Sequence, residues 1–377
     1  MKMARVAGIG ATAAAIISTL SLLCTVNPLT ASASNDHTEG SAQPLDRSLR
    51  ALADRHDLRV GTAVDTAALA ADATYRQSVG DQFSTVTPEN VMKWGVVEAT
   101  RGQYDWAAAD GLVDFAVAHG QRVRGHTLVW HNQLPSWLTT GVSDGTIDAA
   151  ALREILRQHI VAEVGHFRGR IWQWDVVNEA LNDDGTLRDT IWLRYLGPGY
   201  IADAFRWAHQ ADPRAKLMYN DYNIEFTGAK GDAALALVAQ LRAEGVPIDG
   251  VGFQGHLGIQ YGLPDTPGLT ANLARFTALG LDVAFTEVDV RMVLPNDNIK
   301  IQAQAQGYSV LMNTCLLLAR CISFTVWGFT DKYSWIPGVF TNQGAANLFD
   351  ENYQPKPAFR EVQTDLAIAA GPHRRDA

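Results

Sequence analysis

Glu179 and Glu287 are the residues of this chain best suited to bond-breaking chemistry. Glu179 follows an amide, Asn178, at the end of the run IWQWDVVNEA (171–180), and Glu287 lies in a second apolar run, LDVAFTEVDV (281–290). Both runs alternate with period two, which predicts strands, and each brings a carboxylate to a place where a strand gives way to a loop. Two strand-end carboxylates suit cleavage of a glycosidic bond. One attacks the anomeric carbon while the other passes a proton to the bridging oxygen, and in the retaining form they stand about 5–5.5 Å apart. One of the two must then be ionised and the other must start protonated. Taken alone, Glu179 reads equally well as a solvated loop acid; the second carboxylate favours a site. On strict alternation Asn178 and Glu179 point to opposite faces, so for both to serve one site the ladder must end or bulge near them. In the second run Val283, Phe285, Glu287 and Asp289 fall on one face.

The elements that must position these residues repeat as strand then helix. Strands are predicted at 59–64, 82–90, 121–130, 171–177, 216–223, 248–257, from Asp282, and at 322–331. Between them run helical stretches at 191–210 (interrupted by Gly197-Pro198-Gly199), 229–244, 269–279 and 299–318, with a closing helix at 356–370. Asp148 opens a further helix in which Leu152, Ile155, Leu156, Ile160 and Val164 make one apolar stripe, as an outer barrel helix requires. Eight such units are the pattern of an α/β fold, a single (β/α)8 TIM barrel, in which strand-end residues form the site. Trp172 and Trp174 read as core packing.

The 377 residues are 47% hydrophobic and 19% charged, a globular composition. A formal charge of -9 disfavours a nucleic-acid partner held through phosphates. Lys2 and Arg5, an apolar stretch at 11–26 and Ala31-Ser32-Ala33 read as a secretory signal spanning 1–33. A membrane anchor fits less well, because the apolar run is short and no charged stop follows it. Cys24 raises lipid attachment, but Leu23 precedes it where a small residue is wanted. Cleavage takes the charge from -9 to -11 and leaves Cys315 and Cys321, a pair that should be oxidised outside the cell, with two free thiols as the alternative. A polar segment at 34–44, one catalytic domain at 45–370 and a polar tail at 371–377 complete the expected layout, in a secreted monomer with no membrane contact after cleavage.

Further polar and aromatic residues stand at strand ends: Glu89, Asn90 and Lys93; His126, Trp130 and Gln133; Tyr222; Gln254 and His256 on one face of strand six; Trp327 and Trp335. With them, TPENVMKW, GHTLVWH, DVVNEA, NDYN, QGHL, TEVDV and VWGFTD occur in the order found in glycoside hydrolase family 10, which the chain resembles from about residue 45 to 359. The resemblance implies a retaining endo-β-1,4-xylanase acting on xylan and xylo-oligosaccharides, with Glu179 as acid/base and Glu287 as nucleophile. Asn178 would bind the sugar 2-hydroxyl, and His256 would orient Glu287 with Asp289 behind it. Glu89, Asn90, Lys93, His126 and Gln133 would bind the glycone side, with Trp130, Trp327 and Trp335 as an aromatic wall. Single members have plainer alternatives: a structural histidine for His256, a solvated charge for Lys93.

No H-E-x-x-H or Cys-x-x-Cys motif occurs, so no catalytic metal and no cofactor are expected; a structural Ca²⁺ stays open. Two rivals remain beside a xylanase. One is a β-1,4-glucanase on the same barrel, separated by sterics at the sugar C5. The other is an inactive barrel that only binds polysaccharide or protein, against which both carboxylates argue.

Overall fold

The computed structural model describes residues 46–370; the expected signal, polar segment and tail lie outside them. Eight strands form the barrel: β1 (Arg59–Val64), β2 (Thr85–Pro88), β3 (Arg122–Gly125), β4 (Ile171–Asn178), β5 (Lys216–Asp221), β6 (Gly250–Phe253), β7 (Asp282–Val293) and β8 (Cys321–Val326). Each pairs in parallel with the next, and β8 returns to pair with β1. Closure leaves no barrel strand with an unpaired edge. Helices lie between successive strands, so this is the (β/α)8 barrel that the sequence pattern implies.

The helix Ala149–His166 shows why these segments fold as they do. The Asp148 carboxylate accepts from the Ala151 amide at 2.8 Å, a cap worth about 1 kcal/mol. Leu152, Leu156, Ile160 and Val164 then bury their stripe against the barrel. The predicted break at Gly197 separates Ile191–Leu196 from Tyr200–Ala211, with Gly197 at φ 69°. Trp174 is buried as expected and packs on Phe167; a Cβ at Gly125 would lie 2.2 Å from its ring, so only glycine fits there. Trp172 packs against Met218, Ala284 and Ile322.

Several strands are shorter than the alternation suggests. β2 starts late because Gln82 belongs to the helix Ala73–Gln82. β3 ends at Gly125, and beyond it only Val129 bridges to β4, at Val177. β6 ends at Phe253, where Gly255 at φ 74° turns the chain; His256–Gly258 is a separate short strand paired with β7 at Asp289–Arg291. Gln254 and His256 therefore do not share a face of strand six.

The expected common face on β7 also fails. Its pairing with β8 shifts register between Val283 and Ala284 and again between Phe285 and Val288. The second shift puts one extra residue on β7, between Phe285 and Val288, and resets its alternation there. Phe285 consequently packs outward on Phe253 and Phe324, while Glu287 turns into the barrel mouth.

Cys315, near the end of the helix Asn298–Leu317, is disulfide-bonded to Cys321 at the start of β8, with Cα atoms 5.2 Å apart. On the chain-entropy relation so short a loop adds about 2 kcal/mol. Replacing both cysteines by serine is therefore expected to lower unfolding stability by about that amount without changing the far-ultraviolet dichroism, as urea titration would measure. An unchanged midpoint would show that the bridge contributes nothing.

Candidate active site

Asp175 and Arg124, charges inside barrel strands, meet in the mouth of the barrel. Arg124 donates to both carboxylate oxygens of Asp175, at 2.5 and 3.2 Å, and to the Thr286 carbonyl at 2.8 Å. Its Nη2 also stands 3.5 Å from Glu287 Oε1, and His126 Nδ1 lies 2.8 Å from Asp175 Oδ2. Arg124 is 2% exposed and Asp175 fully buried, so each charge needs the other.

Glu287 is the far end of this network. Asn220 Nδ2 donates to its Oε1 at 2.8 Å, and His256 Nε2 faces its Oε2 at 3.3 Å. His256 Nδ1 meets Asp289 Oδ2 at 2.9 Å, and the Trp335 indole donates to that same oxygen at 2.9 Å. Burial alone would raise the Glu287 pKa; His126, His256 and Arg124 outweigh it and hold the carboxyl well below the usual carboxylate range. Burial would likewise lower the His256 pKa, but Asp289 and Glu287 raise it to about 10.

Glu179 is reached by a different device. The β4–β5 ladder shifts register between Asp175 and Val177, β4 ends at Asn178, and Glu179 takes φ 56°, a left-handed conformation uncommon for a non-glycine residue. The expected break in the ladder is therefore present. It turns Asn178 and Glu179 into the same cavity. The Trp130 indole donates to Glu179 Oε2 at 2.9 Å and the Gln254 amide to Oε1 at 3.1 Å, both neutral donors. The side-chain amides of Asn178 and Asn220 approach to 2.8 Å.

The cavity holds about 580 Å³. It brings together Glu89, Asn90, Lys93, His126, Trp130, Gln133, Asn178, Glu179, Tyr222, Gln254, His256, Glu287, Trp327 and Trp335. Asp289 is the exception: it stands behind the wall, holding His256 and Trp335. Lys93 is 6% exposed, not a solvated charge; its ammonium donates to Asn90 at 3.1 Å and lies 5.1 Å from the Trp130 ring. Burial lowers its pKa against the pull of Glu287, Glu89 and Glu179. Tyr222 is fixed by Arg188, which donates to its hydroxyl at 2.8 Å, and by Lys230 at 3.2 Å from its ring.

Arg124 and Asp175 were given no site role by sequence alone, although opposite charges inside two otherwise apolar strands are a readable signal. Arg291, Val339 and Phe340 also line the cavity without a motif to mark them. His126, Asp175 and Glu287 offer ligand atoms within 4.8 Å of one another, a spacing a metal could use. The Arg124 guanidinium already supplies positive charge to both carboxylates of that group.

Comparison with known proteins bears directly on this geometry. The family model for glycosyl hydrolase family 10 matches residues 48–365. The chain belongs to that family. Similar family members include endo-1,4-beta-xylanase 1 of Gibberella zeae, 40% identical over 336 residues, covering 88% of this chain and 93% of that protein. An endo-1,4-beta-xylanase of Agaricus bisporus is 42% identical over 304 residues, 80% of this chain and 89% of its own length. Among solved structures, xylanase 10B of Thermotoga petrophila in complex with xylobiose superposes with a TM-score of 0.81 at 40% identity, covering 85% of this chain and 97% of that one.

The electrostatics of this family 10 site give a stability signature. Because the His256 pKa is raised from 6.5 to about 10, its contribution is complete below 6.5 and fades as pH climbs through 10. Glu287, shifted down from 4.5, contributes fully above 4.5 and loses that stabilisation as pH falls through its lowered value. His256→Asn should therefore lose most stability, relative to the parent, between pH 4.5 and 6.5, with the gap narrowing towards pH 10 in denaturant titrations. A gap that stays constant across that range would contradict the assignment.

Proposed function

We propose that the chain is a secreted endo-1,4-β-xylanase that cleaves internal β-1,4 bonds with retention of anomeric configuration. The observation that carries this reading is the unequal setting of two carboxylates in one cavity. Glu287 is surrounded by Arg124, His126, His256 and the Asn220 amide, whereas among the described residues neutral donors alone hydrogen-bond the Glu179 carboxylate. A nucleophile must stay ionised, and a general acid must be free to hold a proton.

Glu287 attacks the anomeric carbon as the glycosidic C–O bond breaks, and Glu179 gives its proton to the departing sugar oxygen. The result is an ester between Glu287 and the glycone. With the charge of Glu287 neutralised in that ester, ionised Glu179 removes a proton from water. The water oxygen then attacks the same carbon and Glu287 leaves as carboxylate. Asn178, which lines the same cavity as the two acids, would bond the sugar 2-hydroxyl, an interaction that strengthens as the oxocarbenium character grows. His256 and Asp289 orient Glu287, and Trp327 with Trp335 offers indole faces to sugar C–H surfaces. No step calls for a metal or cofactor.

Xylan as the substrate is supported by the names of the similar proteins and by the xylobiose held in the Thermotoga petrophila relative. Export is supported by the disulfide, which suits an oxidising compartment. Among the described residues no helix is long and apolar enough to cross a membrane. The protein is proposed to act as a monomer.

Glu287→Ala should abolish turnover of xylan. Glu179→Ala should lose about 10²–10⁴-fold on xylan yet still release the aryl group of an activated aryl xyloside, whose departure needs no proton. Proton NMR of a fresh hydrolysate should show the β-anomer first at the new reducing end; early α-anomer would exclude retention. Near-normal activity in Glu287→Ala would remove the nucleophile from the scheme.

A further inference from the structure

Arg291 lies on β7 beyond Glu287 and lines the same cavity, beside Val339 and Phe340. Its guanidinium lies over two rings, 4.1 Å from the Phe340 centroid and 5.7 Å from that of Tyr261. Nε donates to the Gln343 side-chain oxygen at 3.1 Å and Nη1 to the Leu257 carbonyl at 3.4 Å. Both acceptors are neutral. Among the described residues no carboxylate forms an ion pair with Arg291, and Nη2 has no acceptor. The other ammonium or guanidinium in the wall, Lys93, is buried and faces the charges of Glu287, Glu89 and Glu179.

An unpaired arginine here needs a reason, because the chain carries -9 overall and the cavity holds three glutamates. That field repels an anionic polymer and is indifferent to a neutral one. A planar guanidinium lying over two rings, with Nη2 unused, is a preorganised donor for a carboxylate. Tyr261, 73% exposed, adds an open aromatic face beside it on which a sugar ring can stack.

We propose that Arg291 is the receptor for the carboxylate of a uronic-acid branch, so that this cleft prefers xylan carrying acidic side groups. The inference rests on the xylanase reading and adds to it a selectivity for charged branches. The backbone is cleaved at Glu179 and Glu287 as before, and the branch is held at the outer end of β7.

The test compares kcat/KM of the full chain on three substrates: a glucuronoxylan, the same polymer after carboxyl reduction of its branches, and unbranched xylohexaose. At low salt the parent should prefer the acidic polymer over its reduced form by about tenfold, the scale of one charge-assisted contact, and lose the preference as salt rises. R291M should bring the ratio to about one, and R291K, which keeps the charge, should retain part of it. The readout is a ratio taken on one protein, so a general loss of activity cancels. A parent with no preference, or R291M with the parent's preference, overturns the proposal. Failure of the underlying reading looks different: the parent would then not turn over xylohexaose at all.

Discussion

The contact on which this site depends is the one between Arg124 and Asp175, a buried ion pair where the barrel opens. From β3 the guanidinium reaches Asp175 on β4, the Thr286 carbonyl and Glu287 on β7, and the Thr87 hydroxyl on β2 at 3.4 Å. A charge removed from water without partners is costly, and breaking a buried pair typically loses about 3–5 kcal/mol. The network therefore holds only when strands β2, β3, β4 and β7 keep their relative heights. The same requirement fixes Glu287, since its Oε1 accepts from Asn220 on β5 and lies beside Arg124. Fold and reactivity share one set of bonds.

The proposed division of labour between the two glutamates follows from backbone as much as from charge. Glu287 sits within β7 at a register shift that turns it inward, ringed by donors. Glu179 lies just past the end of β4 in a left-handed conformation that costs of order 1–3 kcal/mol for a side-chain-bearing residue. Its amide donates to the Asn220 carbonyl at 2.9 Å and its carbonyl accepts from Arg188 at 3.0 Å, so the surroundings hold that conformation. The indole and amide that meet its carboxylate bring no formal charge. One group is thus kept as an anion, while its neighbour meets no charged hydrogen-bond donor among the described residues.

Much of this was legible in the sequence, because apolar periodicity and strand-end polar residues are local signals. The barrel, both carboxylates, the Asn178 neighbour and the need for a break before Glu179 could all be read from spacing and motif order. Face assignments were less reliable. Phe285 and Glu287 looked alike on alternation, yet a register shift falls between Phe285 and Val288, and it depends on pairing with β8, far along the chain. Gln254 and His256 looked like strand neighbours, yet Gly255 turns between them so that His256 can pair with β7. Arg124 and Asp175 went unassigned because their meaning exists only once β3 and β4 lie side by side. Arg291 belongs to no motif at all; its setting is made by Phe340, Tyr261 and Gln343, which folding alone brings together.

The central claim is that the barrel's buried cations keep Glu287 ionised. It is tested most directly by following the Glu287 carboxyl carbon with ¹³C NMR in protein labelled at glutamate, assigned by comparison with Glu287→Gln. The resonance should stay at its ionised position as pH is lowered past 4.5, the ordinary glutamate value, and move only well below it. A Glu287 carboxyl that takes up its proton at or above 4.5 would contradict the account.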